Sequence, residues 1–297
     1  MVKLSPLASV AATREVLDRH GLMTKKALGQ HFLINDGVVA RICDLAELSD
    51  EDVVLEVGPG IGTLSIALLK RSKHLMAIER DHDLPAVLAQ TCEPWADRFT
   101  LIEGDALEVT PSSLSMQPGK LISNLPYAVA ATIVLDYFER FPTLQSQTIM
   151  VQAEVADRMC AHPKTKNYGA YSVKLALFAR YHGRFSVSEG NFFPPPRVKS
   201  AVIRLDRRDD IPADDLRRAT MIMADAAFAN RRKTIANSMK TYFSNPQTAR
   251  ADVVDRISVL LQQGGCDPRE RGEALDVDRF LKLGRAYLDL FGSEGIS

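Results

Sequence analysis

Short apolar runs alternate with amphipathic helical stretches through the first two thirds of this 297-residue sequence, and this alternation restricts the fold more than any other feature. The runs that read as strands are 52–57, 74–79, 99–102, 120–123, 148–151 and 198–205. Between them, 64–69, 83–90 and 132–140 have the spacing of helices that bury one face. Strands that alternate with helices predict an α/β domain with a mostly parallel sheet covered by helices on both faces.

The pattern changes after residue 205, where charged residues and Pro212 interrupt the apolar runs. The remaining sequence predicts helices alone, over 213–229, 231–241, 253–263 and 277–290. Near the N-terminus, Ser5 is placed to cap a short amphipathic helix. The predicted segments are an N-terminal extension over 1–23, an α/β domain over 24–205 and a small all-α C-terminal domain over 206–297.

Composition excludes several classes of protein. No apolar run approaches the ~18 residues of a membrane-spanning helix, and charged residues interrupt the N-terminus where a secretory signal would need its apolar core. The four cysteines are scattered without a CxxC pair, which predicts neither a disulfide framework nor a metal site. Because Lys plus Arg equals Asp plus Glu at 37 each, a nucleic-acid partner would have to be held by local basic patches. Because the scattered cysteines suit a reducing compartment, a cytoplasmic protein is expected.

The stretch "LEVGPGIGTL" places Gly58, Gly60 and Gly62 between the first predicted strand and a helix. Glycines there let the backbone turn tightly and approach a ligand, and the helix N-terminus offers unpaired N–H groups. Glu79 ends the next strand, where a carboxylate can accept hydrogen bonds from ribose hydroxyls. Asp105 ends the third strand, where it could accept from an adenine amino group, although alone it would more often be a helix cap or turn former. The pattern predicts an adenosine-containing ligand at the carboxyl ends of the strands.

The spacing of these glycines disfavours a dinucleotide site. The fingerprint G-x-G-x-x-G would need glycine where Thr63 stands. With Glu56 in front, the pattern is E-x-G-x-G-x-G, which resembles the S-adenosylmethionine loop of class I methyltransferases. A turn that binds no ligand is the alternative for the glycines alone.

The fourth predicted strand ends in Asn124-Leu125-Pro126-Tyr127, a rigid polar step because proline lacks a backbone donor and keeps the preceding residue extended. The form [N/D]-x-P-[Y/F/W] resembles the catalytic step of methyltransferases that act on exocyclic amines. An adenine N6 lone pair is delocalised into the ring, so the nitrogen is a poor nucleophile. The Asn124 side-chain oxygen and the Leu125 carbonyl can each accept an N6 hydrogen, while Pro126 directs that carbonyl and Tyr127 stacks on the extruded base. Seen alone, a strand-ending turn with a packed tyrosine would explain these residues.

Further stretches occur in a characteristic order: "KKALGQHFL" (25–33), "QAEVADR" (152–158), "YGAYSV" (168–173), "FFPPPRVKSAV" (192–202) and "FANRRKT" (228–234). With the glycine loop and the NLPY step, they resemble the KsgA/RsmA-type rRNA adenine dimethyltransferases. The resemblance implies a class I methyltransferase fold with a seven-stranded, mostly parallel sheet whose last strand is antiparallel. It also implies S-adenosylmethionine as the methyl donor, with S-adenosylhomocysteine as the product. The implied reaction is N6,N6-dimethylation of two adjacent adenosines in the 3′-terminal hairpin loop of small-subunit (16S) rRNA during ribosome assembly.

The same resemblance assigns further cofactor residues, namely Gln30, His31 and Leu33, and Asn124 is expected to contact the cofactor as well as the base. It also implies that Phe192 faces Tyr127 as a second aromatic wall for the flipped base, although a core phenylalanine is equally compatible with the sequence.

The sequence departs from the family at Ala128 and Thr132, where members usually carry Asn and Pro. Neither position supplies a hydrogen-bond acceptor to the adenine. The departures leave open where the next helix begins and how wide the target pocket is.

RNA contacts are expected from basic residues in three stretches, because Lys and Arg neutralise phosphates without regard to base sequence. The candidates are Lys25, Lys26, Arg197, Lys199, Arg231, Arg232 and Lys233. For any single cluster a solvated helix face is the commoner explanation. The expected partner is the assembling small ribosomal subunit, and the resemblance suggests a monomer.

Three other functions stay open at this point. A related enzyme could act on large-subunit rRNA and confer macrolide resistance, although the full "FANRRKT" motif disfavours it. A non-catalytic RNA-binding or assembly factor could share the fold, as mitochondrial transcription factors do, but intact Asn124, Glu79 and Asp105 argue against a dead site. A dehydrogenase is disfavoured by Thr63.

Overall fold

The computed structural model describes residues 3–22 and 31–293 and divides the chain into two compact units. The first unit comprises Met1–Ala156 and Arg180–Arg207, and the second comprises Asp157–Ala179 and Arg208–Ser297. The last division lies close to the boundary predicted at residue 206. Residues 157–179 group with the helical unit, because Tyr168 and Val173 are buried in its core.

The first unit alternates strands and helices as the apolar pattern predicts. Its strands are β1 (Phe32–Leu33), β2 (Val53–Val57), β3 (His74–Glu79), β4 (Phe99–Glu103), β5 (Lys120–Asn124), β6 (Ser146–Gln152), β7 (Ala179–Val187), β8 (Phe192–Phe193) and β9 (Ser200–Arg207). Its helices are α1 (Val10–Arg19), α2 (Asp36–Leu45), α3 (Thr63–Arg71), α4 (Pro85–Thr91), α5 (Ala130–Arg140) and the start of α6 (Ala153–Met159).

The main sheet has seven strands in the order β4-β3-β2-β5-β6-β9-β7. The pairs β4/β3, β3/β2, β2/β5 and β5/β6 are parallel, whereas β9 runs antiparallel to β6. This mixed but mostly parallel sheet confirms the predicted fold class. The order reverses direction between β2 and β5, and in sheets of this kind ligands bind at such a switch point, outside the carboxyl ends of the strands.

The edge strand β7 was not among the strands predicted from the apolar runs. Its sequence "ARYHGRFSV" is exposed at most positions and carries two arginines and a histidine, so it lacks the apolar run that marks the inner strands. Exposed, charged edge strands are common because they discourage pairing with other chains. The resemblance alone implied a seventh strand.

The N-terminal extension is part of the first unit. Val16 and Leu17 of α1 are buried in the same core cluster as β1 and α2. The helix is capped by Ser9, whose side chain accepts from Ala12 N, and not by Ser5 as predicted. Ser5 lies a turn too early and is itself buried, with its backbone N–H donated to Asp36 Oδ1 at 2.8 Å.

The second unit is helical in the residues described. After α7 (Ala170–Ala176) it contains α8 (Asp214–Phe228), α9 (Ile235–Phe243), α10 (Ala251–Asp255), α11 (Ile257–Gln263) and α12 (Val277–Phe291). Helix α9 begins four residues later than predicted because Thr234 caps it by accepting from Asn237 N. The predicted helix over 253–263 is divided by Arg256, whose backbone leaves the helical conformation.

Among the residues that the structure describes, no helix combines the length and the apolar character required to cross a membrane.

Candidate active site

The glycine-rich loop joins β2 to α3 with Gly58, Gly60 and Gly62 at positive φ angles of 70°, 61° and 90°. A Cβ atom at Gly60 would lie 3.2 Å from Phe32 Cε1, and one at Gly58 would lie 3.4 Å from Pro126 Cγ. The loop therefore lies against both β1 and the NLPY step. Larger side chains would strain the backbone and crowd these neighbours.

Glu79 ends β3 beside this loop and is 8% exposed. Its Oε1 accepts from Asp81 N at 2.8 Å, and its Oε2 accepts from Gly60 N at 3.3 Å. Burial raises the pKa of Glu79, while the backbone N–H groups oppose that rise. Each carboxylate oxygen has a second lone pair, so the group can still accept from a ligand hydroxyl.

Asp105 follows β4 and faces the same cavity. Its Oδ1 accepts from Leu107 N at 2.9 Å, in an Asx turn, and its Oδ2 lies 3.2 Å from Arg80 Nη1. Asp105 is therefore the turn former of the sequence argument, and it also lines the cavity. Arg80 lines the cavity next to Glu79 and holds this carboxylate in place.

Asn124 and Leu125, at the end of β5, present two acceptors that are unoccupied among the residues described. The Asn124 side chain donates Nδ2–H to His31 O over a long 3.4 Å, and Leu125 N donates to Met150 O at 3.1 Å. No described residue donates a hydrogen bond to Asn124 Oδ1 or to Leu125 O. The amide is thus oriented through its nitrogen, and both oxygens are available to an amine.

Tyr127 is held from two sides. Its hydroxyl lies 2.7 Å from Ser200 Oγ on β9, and burial raises its pKa. The His31 ring lies 6.0 Å away, inclined by 26°. His31 Nδ1 is 2.8 Å from Pro194 O, and because a carbonyl oxygen can only accept, Nδ1 carries the proton.

Phe192 does not form the expected second wall. It is 2% exposed, belongs to the core cluster, pairs with Leu33 in the β1–β8 ribbon and is not among the residues that line the cavity. The ring that stands beside Tyr127 is His31. Successive residues of an extended segment point to opposite sides. The sequence "FF" therefore does not reveal which of the two phenylalanines is buried in the core and which faces the pocket side.

The two departures from the family lie at the start of α5. That helix begins at Ala130, and its first turn has no side-chain cap. Ala128 is exposed and lines the cavity, so its small side chain leaves the mouth wider than asparagine would. Thr132 is exposed on α5.

One cavity of about 260 Å³ brings most of the predicted site residues together. Those that line it are His31, Leu33, Gly58, Gly60, Glu79, Asp105, Asn124, Leu125, Pro126 and Tyr127. Gly62 supports the loop from behind, where a Cβ atom would lie 2.9 Å from Thr91 Oγ1. Gln30, Lys25 and Lys26 lie outside the described residues.

Glu56 and Thr63 are among the lining residues that were not predicted as ligand contacts. Thr63 Oγ1, at the N-terminus of α3, is buried and has no hydrogen-bond partner among the described residues. Glu56 is 1% exposed and accepts from Ser65 Oγ at 2.6 Å. Only a signal such as the acidic position in E-x-G-x-G-x-G could have pointed to Glu56.

Burial raises the pKa of Glu56 to about 8, from an ordinary value of 4.5. The folded, ligand-free protein therefore retains a proton that the unfolded chain loses, and the associated stability disappears as the pH rises through about 8. We expect the wild-type melting temperature to fall more steeply between about pH 5 and pH 8 than that of Glu56→Gln. Calorimetric melting curves would check this, and parallel curves for the two proteins would contradict it.

The predicted RNA contacts that the structure describes are exposed. Arg197 and Lys199 lie in the first unit, ahead of β9. Arg231, Arg232 and Lys233 lie in the second unit, between α8 and α9.

A glycine cradle, a Thr63 hydroxyl that no described residue pairs with, and two carboxylates spaced along the strand ends fit the methionine, ribose and adenine parts of S-adenosylmethionine. Together with the strand order, they define a class I, S-adenosylmethionine-dependent methyltransferase. The chain matches the family "Ribosomal RNA adenine dimethylase" over residues 21–260, and it belongs to that family.

Similar proteins agree with this assignment. The chain is 41% identical over 281 residues to a "Ribosomal RNA small subunit methyltransferase A" of Acidothermus cellulolyticus, covering 93% of each protein. It is 37% identical over 288 residues to a protein of the same name from Rhodococcus opacus, covering 95% of each. Among solved structures, a dimethyladenosine transferase from Plasmodium falciparum superposes with a TM-score of 0.73 at 22% identity, covering 87% of this chain and 98% of that one. The 23S rRNA methyltransferase ErmE gives 0.63 at 23% identity, covering 86% and 98%. These structures support the fold.

Proposed function

We propose that this chain dimethylates N6 of two adjacent adenosines in the 3′-terminal hairpin loop of small-subunit rRNA, using S-adenosylmethionine. The observation that carries the proposal is the pair of acceptors at the carboxyl end of β5, Asn124 Oδ1 and Leu125 O, to which no described residue donates. An adenine amino group has two hydrogens to donate, and two acceptors on one rigid step match them. The names of the curated relatives favour the small subunit over the large one.

The reaction needs a nitrogen lone pair pointed at the methyl group. Accepting both N6 hydrogens would draw the nitrogen out of conjugation with the ring, so that its lone pair can attack. S-adenosylmethionine, when bound, would supply the electrophilic methyl group, and the bond from that methyl group to sulfur would break as its bond to N6 forms. The N6 proton becomes acidic after transfer and passes to water, so a strong general base is not required. Positioning and the exclusion of water then account for catalysis.

Base stacking would fall to Tyr127, whose ring orientation is fixed through Ser200. A target adenine has to leave its stack to reach the cavity, and an aromatic face compensates for part of the lost stacking. The cavity must also accept a monomethylated base, which the small Ala128 side chain at its mouth favours.

On the cofactor side, Glu79 would bind the ribose hydroxyls and Asp105 the adenine amino group, with His31, Leu33 and the glycine loop around the methionine. On the RNA side, Arg197, Lys199 and the run Arg231–Lys233 would contact phosphates, together with Lys25 and Lys26. We further propose that the substrate is an assembling small subunit in the cytoplasm and that the protein acts as a monomer.

The proposal is tested by incubating the purified protein with unmethylated small subunits and isotope-labelled S-adenosylmethionine. Nuclease digestion and mass spectrometry should locate dimethyladenosine at two adjacent positions near the 3′ end of the small-subunit rRNA. Large subunits serve as the parallel substrate. Label in the large-subunit rRNA alone would show that the chain is a large-subunit rRNA methyltransferase instead. Label in neither rRNA would indicate a non-catalytic RNA-binding factor.

Replacing Glu79 by alanine should weaken S-adenosylmethionine and S-adenosylhomocysteine binding by about 100-fold, because two charge-assisted hydrogen bonds of ~1.5 kcal/mol each are lost. Isothermal calorimetry measures this without any methyl transfer. Glu103→Ala is the matched control, since Glu103 pairs with Glu79 across β3 and β4 but is exposed and does not line the cavity. Equal affinities for the two variants would remove Glu79 from the ribose site.

A further inference from the structure

The N-terminal segment is tied to the core of the first unit at both ends of α1. Before the helix, Leu4 N and Ser5 N donate to the carboxylate of Asp36, the first residue of α2, at 3.1 and 2.8 Å. After the helix, His20 Nε2 lies 2.7 Å from Gln90 Oε1 on α4. Helix α1 therefore has a fixed position that does not depend on the exposed side chains along its length.

One exposed residue of α1 contacts the β1–β8 ribbon. Arg14 Cζ lies 5.0 Å from the centroid of the Phe193 ring, within the range of a cation–π contact. No described residue forms an ion pair with Arg14. Phe193 of β8 lies directly opposite Phe32 of β1, so the two side chains emerge on the same face of the ribbon. Arg14 therefore lies on the side of the ribbon from which Phe32 packs against the glycine loop.

The ribbon is short, yet it supplies one wall of the cavity. Each of its strands has two residues, and a two-stranded ribbon has little stability without support from other elements. His31, Phe32 and Leu33 all line the cavity. His31 Nδ1 donates at 2.8 Å to the carbonyl of Pro194, the residue after Phe193. A displacement of Phe193 would therefore move the carbonyl that orients the His31 ring.

We infer that Arg14 is a positioning residue for the cofactor site. Its guanidinium holds the Phe193 ring, and the ribbon and the Pro194 carbonyl in turn keep Phe32 and His31 in the geometry that binds the methionine part of the cofactor. Because α1 is anchored elsewhere, the contact restrains the ribbon rather than the helix. The N-terminal segment thus contributes to the site, although none of its described residues lines the cavity. The inference deepens the proposed function, from which it takes the place of His31 beside the cofactor.

The test measures S-adenosylhomocysteine binding by isothermal calorimetry, which requires no methyl transfer. Arg14→Gln removes the charge and should weaken binding about fivefold, the size of one exposed cation–π contact. Arg14→Lys keeps a cation over the ring and should restore most of the affinity. Arg19→Gln is the matched control on the same helix, because Arg19 is exposed and pairs with Glu15 at 2.7 Å. It should bind S-adenosylhomocysteine as tightly as the wild type does.

A double-mutant cycle with Phe193→Leu identifies the path of the effect. Leucine keeps apolar bulk but has no ring, so Arg14→Gln should cause almost no further loss of affinity in that background. In the ligand-free protein, nitrogen NMR of the His31 ring should show a second tautomer in Arg14→Gln and not in Arg19→Gln. A general contribution of Arg14 to stability would not produce that change. Melting temperatures close to that of the wild type establish that the variants are folded.

Four results would overturn the inference. Arg14→Gln could bind S-adenosylhomocysteine as the wild type does, Arg19→Gln could lose as much affinity, or the full loss could persist in the Phe193→Leu background. The fourth is weaker binding of small subunits by Arg14→Gln with unchanged cofactor affinity, which would make Arg14 a phosphate contact instead. A wild type that binds S-adenosylhomocysteine but leaves small subunits unmethylated would refute the proposed function alone, because the calorimetric comparison needs no RNA.

Discussion

Asn124→Ala is expected to reduce the single-turnover rate of methyl transfer by about 10²–10³-fold, the range seen when an enzyme loses one preorganised hydrogen-bonding group that acts in the transition state. The alanine removes Oδ1, the one side-chain acceptor at the end of β5 that no described residue occupies. The Leu125 carbonyl remains and still accepts one N6 hydrogen. Because the second hydrogen has lost its acceptor, the nitrogen lone pair returns to conjugation with the ring. The rate should fall at saturating concentrations of both substrates, because the loss lies in the chemical step.

Cofactor affinity provides the internal control for this variant. The Asn124 amide touches the rest of the site through a 3.4 Å hydrogen bond to His31 O, which is too long to contribute much stability. Calorimetry should therefore show S-adenosylhomocysteine binding within a few-fold of the wild type. Asn124→Asp keeps an acceptor oxygen in the same place and should retain more activity than alanine does. Equal activity of wild type and Asn124→Ala would remove the amide from catalysis.

The same variant separates an enzyme from a non-catalytic assembly factor. A factor that uses its fold only to bind RNA would function equally well with alanine at this position. Complementation of an assembly defect by Asn124→Ala, without dimethyladenosine in the rRNA, would show that binding and methylation are separate roles.

The parallel sheet was predictable because its inner strands are buried and therefore read as apolar runs. That the candidate site residues lie together was predictable for a related reason, since neighbouring parallel strands bring their carboxyl ends to one edge. Glu79, Asp105 and Asn124 lie at the carboxyl ends of three different strands, and all three line one cavity. Their place in the sequence, at the end of a strand, was sufficient to bring them together.

Other features depend on contacts that a linear pattern does not contain. The edge strand β7 needs no apolar run because few of its side chains are buried. The loop at 160–169 reads as an interruption within the α/β domain until Tyr168 is seen buried among helices of the second unit. Phe192 and Phe193 are identical in the sequence, and their different burial follows from the β1–β8 pairing. The proximity of Lys166 to Arg231 likewise follows from tertiary structure alone.

Gly284→Ala should lower the free energy of unfolding of the second unit by about 3 kcal/mol, the largest stability effect that we expect from a single methyl group. A Cβ atom there would lie 2.9 Å from Thr220 N and 3.1 Å from Thr220 Cα, so helices α12 and α8 would have to separate along their backbones. The alanine gains about 1 kcal/mol of helix propensity, which offsets only part of that cost. Calorimetric unfolding of the full chain measures the change.

Gly169→Ala is the matched control in the same unit, since its Cβ atom would meet nothing within 4 Å and its φ of −165° suits any residue. Adding Thr220→Ala to Gly284→Ala should restore little, because the backbone atoms of residue 220 remain in place. Full restoration would show that the side chain alone keeps the two helices apart, and a stability equal to that of Gly169→Ala would refute the close contact itself.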